Sequence, residues 1–204
     1  MNNNIGNHPA DQLLVNKVLN GDTHAFGEII KNTEGLVAQI MFKMIPNTED
    51  RKDIAQDIYL KAYSKLSGFR FQSKLSTWIG QITYNTCLNW LERKKLLLPG
   101  DLHSGKDTEH ETGTVAHTWD QHTVGCEPET LILRKELSAM LQAGIHLLSP
   151  VYKTLIILYH QEELSYEEIV TITGLPEGTV KNYLFRARKA LREGLLLKYK
   201  REEL

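Results

Sequence analysis

The chain has 204 residues, enough for one ordinary domain or two small ones, and its hydrophobic fraction of 41% supports globular cores. Its formal net charge is only −1, so any nucleic-acid surface requires segregated charge. Cys87 and Cys126 form no CxxC pattern, which argues against a disulfide framework and leaves a single bridge open. The first residues, MNNNIGNHPADQ, lack the pattern of a secretory signal, and no apolar run reaches membrane-spanning length. These features predict a cytoplasmic protein without membrane insertion.

The N-terminal part of the chain shows the periodicity of packed helices. Residues 1–10 are polar and are expected to be disordered. A first helix follows, with Leu14, Val18 and Leu19 on one face, and Asp22 is the predicted N-cap of a second helix that ends before Pro46. No alternating strand pattern competes in this half.

A third helix is predicted over the run TEDRKDIAQDIYLKAYSKL, with Thr48 as its cap. Its apolar residues recur at spacings of four on one face, and these are Ile54, Ile58, Ala62 and Leu66. The polar residues Asp53, Gln56 and Asp57 therefore lie on other faces of the helix.

The segment after Gly68 interleaves aromatic and basic residues before a fourth helix begins near Leu75. Such a loop suits a nucleic-acid single strand, because a base can stack on a ring while a cation meets the phosphate. The alternative is that Phe69, Phe71 or both fill the core beneath a turn. The fourth helix is predicted to bury Leu75, Ile79, Ile82 and Trp78, and it leaves polar candidates for contact, namely Tyr84, Asn85, Asn89, Arg93, Lys94 and Lys95.

Residues 98–128 are predicted to form an acidic, flexible linker, because four glycines interrupt them and no apolar periodicity appears. Four of the eight histidines lie here, namely His103, His110, His117 and His122. Their spacings match no short ligand motif, so we predict no metal site, with zinc binding as the weaker alternative.

Residues 129–197 are predicted to form a four-helix domain, followed by a C-terminal tail at 198–204. Ser149 and Pro150 suit the cap and the first position of its second helix. Ser165 and Glu168 form a capping box at the third helix, and Gly174 suits its C-terminal cap. A fourth helix then starts around residue 177.

The fourth helix of this domain separates an apolar stripe from a basic face. Its apolar stripe consists of Val180, Leu184, Ala187 and Leu191, while no acidic residue lies between Thr179 and Arg192. Two short helices joined by a tight turn with glycine are typical of the helix-turn-helix, whose second helix lies in the DNA major groove. The alternative is a basic surface helix of an ordinary bundle.

The run LSYEEIVTITGLPEGTVKNYLFRARKAL resembles the C-terminal domain of bacterial RNA polymerase sigma factors of the extracytoplasmic-function (ECF) type. The resemblance implies recognition of the promoter −35 element and contact with the polymerase β flap. The implied DNA-contacting residues are Lys181, Asn182, Phe185 and Arg186, with Arg188 and Lys189 as phosphate contacts. One departure is Tyr183, where many relatives carry Arg.

Two earlier stretches resemble the same family. The run DIAQDIYLKAYSKL is similar to the region that docks on the polymerase β′ clamp, which implies polymerase contacts by Asp53, Gln56 and Asp57. The fourth helix is similar to the part that opens and reads the −10 element. A base pocket is implied for Gln72, Ser73, Lys74 and Asn85, and Asn89 and Arg93 continue along the strand. Tyr84, often basic in relatives, and Asn89, often Asp, depart from the pattern.

The predicted fold is therefore all-α, with a region 2 domain at 11–97 and a region 4 domain at 129–197 joined by the flexible linker. The resemblance implies a sigma factor, without a cofactor or enzymatic activity. Its implied partners are core RNA polymerase, promoter DNA and an anti-sigma factor, which in many relatives is membrane-anchored. Two alternatives are a dimeric regulator that binds duplex DNA by itself and a metal-dependent hydrolase that uses the linker histidines.

Overall fold

A computed structural model describes residues 9–97 and 128–202 of the chain. All secondary structure in these ranges is helical, which confirms the predicted fold class. The first group of helices is α1 (Pro9–Leu19), α2 (Thr23–Met44), α3 (Thr48–Lys65) and α4 (Leu75–Leu97), with a 3-10 turn at Leu66–Gly68. The second group is α5 (Pro128–Leu147), α6 (Pro150–His160), α7 (Tyr166–Thr173) and α8 (Glu177–Glu202). The predicted N-terminal segment, except its last two residues, and the predicted linker up to residue 127 lie outside the described residues.

The N-termini of α2 and α3 are capped by polar side chains. Asp22 Oδ1 accepts hydrogen bonds from the backbone N–H groups of His24 and Ala25, at 2.9 and 3.2 Å, as predicted. For α3 the predicted cap was wrong by one residue. Asn47 has extended backbone angles and accepts from Glu49 N–H at 2.9 Å, whereas Thr48 is already helical.

The first four helices pack around a shared interior. The predicted stripe of α3 is buried from Ile54 to Leu66. In α1 the prediction for Leu19 was wrong, since this side chain is 51% exposed and Val15 is buried instead. The helix also reaches α4, because the Leu75 backbone N–H donates to Asp11 Oδ2 at 2.9 Å.

The last four helices include the predicted helix-turn-helix unit, which consists of α7 and α8. Both hydrogen bonds of the capping box between Ser165 and Glu168 are present, and Gly174 ends α7 in the left-handed region with φ of 70°. In α8, Val180, Leu184 and Ala187 are buried. Helix α5 continues to Leu147, three residues beyond its predicted end near Gly144.

The two helix groups pack directly against each other. Helix α2 lies against α6, and α4 lies against α7. Buried residues from both groups consequently form one continuous apolar core. This arrangement was not predictable from helical periodicity, and it brings the two candidate DNA-binding regions into one compact unit.

Candidate nucleic-acid interface

The outer face of α8 presents the residues that the sequence predicts for −35 contact. All six are exposed, namely Lys181, Asn182, Phe185, Arg186, Arg188 and Lys189. Phe185 is 65% exposed, which is high for a large ring. This face lies opposite the buried stripe, because the two sets of residues alternate with helical periodicity. The helix is therefore anchored on one side and free to enter a groove on the other.

Local contacts divide these side chains into restrained and free ones. Lys181 Nζ lies 2.6 Å from Glu177 Oε1, and this carboxylate raises the pKa of Lys181. Arg188 lies over the Tyr159 ring at 5.2 Å and donates from Nε to His160 Nε2 at 3.2 Å. Within the described ranges, Asn182 and Arg186 have no comparable side-chain partner, so both can turn toward a ligand.

Tyr183 faces inward rather than toward the exposed side of α8. Its ring meets Tyr152 of α6 edge-on, with 5.4 Å between the centroids. At this position, where the resemblance leads one to expect Arg, the side chain therefore contributes to packing between α6 and α8.

A cavity of about 370 Å³ lies between α3 and α4. This volume is within the range of pockets that hold small organic groups. Its lining is mostly polar and consists of Lys61, Lys65, Trp78, Gln81, Ile82, Asn85, Thr86 and Asn89. The structure thus brings together two predicted −10 residues, Asn85 and Asn89.

The lysines of this cavity were missed by sequence reasoning. Lys61 Nζ lies 2.6 Å from Asp57 Oδ2 and 3.4 Å from Thr86 Oγ1 of α4. Lys61 and Lys65 are one turn apart, so they share the face of α3 that meets α4. That spacing was the available signal, but only the packing of the two helices shows that the cations border a cavity.

The loop at 72–74 does not contribute to the lining of this cavity. Gln72 is exposed, and Ser73 Oγ donates to the carbonyl oxygen of Lys74 at 3.3 Å. Lys74 Nζ instead lies 2.8 Å from Glu168 Oε1 of α7. Arg93 is exposed farther along α4. The predicted −10 residues are therefore spread along the loop and one face of α4.

The aromatic residues near this loop are mainly structural. Phe69 is 7% exposed, and its ring lies 4.8 Å from that of Phe71 and 5.0 Å from that of Trp78. The alternative that at least one phenylalanine fills the core is confirmed. Tyr84 was predicted as a candidate for contact, and this was wrong, because the residue is 3% exposed and burial raises the pKa of its phenol.

The predicted polymerase-binding residues share one exposed face of α3. Asp53, Gln56 and Asp57 are all exposed there. Two apolar neighbours that the sequence analysis did not single out, Leu60 and Tyr63, are also exposed, at 69% and 50%. An acidic patch bordered by apolar side chains suits a protein-binding surface, since interfaces combine apolar and polar contacts.

The described residues lack both a metal-binding cluster and a membrane-spanning helix. In the ranges 9–97 and 128–202, no group of three or more histidine, cysteine or acidic side chains is placed to hold a metal ion. Within the same ranges, no helix has both the length and the apolar character needed to cross a membrane. The linker histidines lie outside the described part of the chain.

Sequence comparisons identify relatives along most of the chain. The family model for sigma-70 region 2 matches residues 29–96, and the one for sigma-70 region 4 matches residues 138–191. The chain is 32% identical to the RNA polymerase sigma-H factor of Pseudomonas aeruginosa, covering 91% of this chain and 93% of the relative. It is 32% identical to the ECF RNA polymerase sigma factor SigW of Bacillus subtilis, covering 89% and 94%. It is 34% identical to the ECF RNA polymerase sigma-E factor of Haemophilus influenzae, covering 89% and 93%.

Solved structures share the fold. The structure of CnrH in complex with the cytosolic domain of CnrY is 19% identical, with a TM-score of 0.59 and coverage of 93% of this chain and 98% of that one. The sigma factor RpoE in complex with the anti-sigma factor NepR from Bartonella quintana is 21% identical, with a TM-score of 0.61 and coverage of 83% and 94%. Given the identity and coverage of the curated relatives, the chain belongs to the ECF family of RNA polymerase sigma factors.

Proposed function

We propose that this protein joins core RNA polymerase, directs it to a subset of promoters and helps to open the DNA. The observation that carries the proposal is that one chain combines an exposed basic recognition helix with a separate polar cavity. The first suits a duplex and the second suits an unpaired base. In this role the protein acts in the cytoplasm as an initiation factor and is not an enzyme.

Helix α8 reads the −35 element in the major groove. Arg186 and Asn182 are the side chains for base edges, because guanidinium and amide groups pair in two-pronged fashion with guanine and adenine. Lys181, Arg188 and Lys189 contact phosphates, which position the helix without reading sequence. The exposed ring of Phe185 is suited to contact with a thymine methyl group.

The cavity between α3 and α4 captures a base of the −10 element. Removal of a base from the stack costs a few kcal/mol, and a pocket that pairs with the base offsets this cost. Asn85 and Asn89, which line the cavity, supply donors and acceptors for the base, and Lys61 and Lys65, also in its lining, contact the phosphates. The strand then continues past Arg93 on one side and the loop Gln72, Ser73 and Lys74 on the other.

The exposed face of α3 docks on the β′ clamp. Asp53, Gln56 and Asp57 supply its polar contacts, and Leu60 and Tyr63 supply its apolar ones. The helix-turn-helix unit contacts the β flap. The two neighbouring structures are complexes, one with the cytosolic domain of CnrY and the other with the anti-sigma factor NepR. We extend this to an anti-sigma factor for the present protein, membrane-anchored or not, that covers the polymerase-binding faces.

The proposed roles are distributed over the predicted domains. Residues 11–97 serve polymerase binding and the −10 element, residues 129–197 serve the −35 element, and residues 98–128 connect them. Residues 1–10 and 198–204 have no assigned role.

Transcription from genomic DNA tests the proposal. Core polymerase with and without the purified protein is incubated with nucleotides, and the 5′ ends of the RNA are sequenced. The expected result is a new set of start sites that share −35 and −10 sequences. Unchanged start sites would contradict the proposal. Tight, specific binding of a promoter duplex by the protein alone would instead favour a conventional regulator.

A further inference from the structure

The C-terminal end of α6 lies beside the basic face of α8. His160 is the last residue of α6 and is exposed, and Tyr159 precedes it. Arg188 of α8 contacts both residues. Its guanidinium carbon lies 5.2 Å from the centre of the Tyr159 ring, and its Nε donates to His160 Nε2 at 3.2 Å. Neither Tyr159 nor His160 has a role in the function proposed above.

The Tyr159 ring is itself held by two neighbouring rings. It lies 5.1 Å from the ring of Tyr166, at the start of α7, and it meets the His160 imidazole edge-on at 4.9 Å. Lys181 of α8 lies over Tyr166, with Nζ 5.2 Å from the ring centre. Lys181 and Arg188 are two helical turns apart, about 10 Å along the axis, and therefore lie on the same side of α8. Three rings from α6 and α7 thus support two cations of the recognition helix.

The hydrogen bond to Arg188 requires the neutral form of His160. A neutral imidazole accepts only at the nitrogen without a proton, so acceptance at Nε2 assigns the proton to Nδ1. A protonated imidazole donates from both nitrogens and cannot accept from a guanidinium group. Burial, followed by the positive charge of Arg188, lowers the pKa of His160. The form that can hold Arg188 is therefore the form favoured at neutral pH.

The contact with His160 leaves most of the Arg188 guanidinium group free for a ligand. A guanidinium group carries N–H donors on three nitrogens, and only the Nε donor is used by the imidazole. The remaining donors lie on the two terminal nitrogens, and their planar arrangement suits the oxygens of a phosphate. An arginine that is already restrained in the free protein loses less conformational freedom when it binds.

We propose that His160 is a positioning residue for DNA recognition, which together with Tyr159 directs the free donors of Arg188 toward a phosphate beside the −35 element. The contact of Arg188 with a phosphate rests on the proposed function. His160 acts through Arg188 and reads no base. It therefore contributes to the affinity for DNA without changing which sequence is preferred, because phosphate contacts carry no direct sequence information.

Binding of short duplexes by the polymerase-bound protein tests this role. One labelled duplex carries the −35 element without a −10 element, and a second carries a scrambled −35 sequence. Fluorescence anisotropy gives the affinity for each duplex at several salt concentrations. His160→Ala removes the acceptor, whereas His160→Gln keeps an acceptor in the form of an amide oxygen. The matched control is His24→Ala, which removes the same imidazole from an exposed position of α2.

His160→Ala is expected to weaken binding of both duplexes by the same factor, about threefold to fivefold, and to reduce the salt dependence by about one phosphate contact. His160→Gln should stay within about twofold of wild type, and His24→Ala should not differ from it. Equal losses in His160→Ala and His160→Gln would mean that only the ring matters and would overturn the proposal. A loss confined to the −35 duplex would also overturn it, because it would indicate base readout.

A double-mutant cycle tests whether His160 acts through Arg188. Arg188→Ala should itself weaken binding, because it removes the phosphate contact. The double variant His160→Ala/Arg188→Ala should bind no more weakly than Arg188→Ala, since no guanidinium group is left to position. Additive losses in the double variant would show that His160 contacts DNA or supports the fold independently, and would overturn its role as a positioning residue.

Nitrogen-15 NMR of the His160 imidazole in the free protein tests the contact without DNA. The neutral ring should carry its proton on Nδ1, and Arg188→Gln should raise the pKa of His160, because it removes the neighbouring positive charge. A ring protonated on Nε2, or a pKa that Arg188→Gln leaves unchanged, would overturn the contact. If the wild-type holoenzyme does not distinguish the two duplexes, the proposed function fails, whereas the NMR result still decides whether His160 holds Arg188.

Discussion

Helix α8 and the cavity between α3 and α4 are built in opposite ways for the two forms of DNA that we propose they bind. The face of α8 consists mainly of long, exposed side chains on a helix whose opposite side is buried. The cavity places short amides and a ring around a concave space, with lysines beside it. A duplex has a regular outer shape, so a protruding helix can read it, whereas an unpaired base needs a space to enter. The two proposed modes of DNA recognition therefore rest on different structural support, a protruding helix face in one case and a concave space in the other.

The largest expected effect concerns the exposed basic face of α8. Arg186→Ala should lower transcription from a −35-dependent promoter by about fivefold to a hundredfold, because a two-pronged base contact contributes about 1–3 kcal/mol. Binding to core polymerase, measured by fluorescence anisotropy, should not change. Arg192→Ala removes the same charge from an exposed position farther along α8 and is the matched control. Equal losses in both variants would mean that α8 contributes only non-specific electrostatic attraction to DNA.

The next effect concerns the cavity. Asn85→Ala should slow open-complex formation by about fivefold to tenfold, since one hydrogen bond contributes about 1 kcal/mol and an unpaired base group adds to the loss. Permanganate reactivity of unpaired thymines measures opening. A promoter with a preformed mismatch bubble should restore most of the activity. The control is Asn16→Ala, at an exposed position of α1. A defect in closed-complex formation of the same size would contradict the assignment.

A smaller effect is expected for the cavity lysine that sequence reasoning missed. Lys61→Gln should weaken binding of a single-stranded −10 oligonucleotide by about threefold and reduce the salt dependence by about one phosphate contact. Titrations at several salt concentrations measure both. Lys52→Gln, on an exposed face of α3, should leave the salt dependence unchanged. An unaltered slope for Lys61→Gln would place this lysine away from the strand.

The smallest effect concerns Glu168 of α7, the helix that precedes α8. The lowered pKa of Glu168 means that its carboxylate stabilises the folded state above its ordinary pKa of 4.5, and that this contribution is lost as pH falls through the lower folded value. At neutral pH, Glu168→Gln should lower the melting temperature by about 1–3 °C, and the difference should vanish in acid. Calorimetry from neutral to acidic pH, with Glu167→Gln as control, checks this. A difference that persists in acid would exclude the charge as its origin.

Predictability from sequence differed between the same two regions. The capping box, the turn at Gly174 and the buried stripe of α8 depend on residues within a few positions of one another, so local patterns predicted them. The cavity depends on how α3 meets α4, which no local spacing reveals, and Lys61 was missed for that reason. Tyr84 was predicted as a candidate for contact, but packing of the surrounding helices buries it.

The hydrogen bond from the Leu75 N–H to Asp11 links residues that are 64 positions apart. The first turn of α4, the helix that carries Asn85, is therefore completed by a carboxylate from α1. Proteolytic removal of α1 should loosen the first turn of α4, and amide hydrogen exchange would register this at residues 75–78.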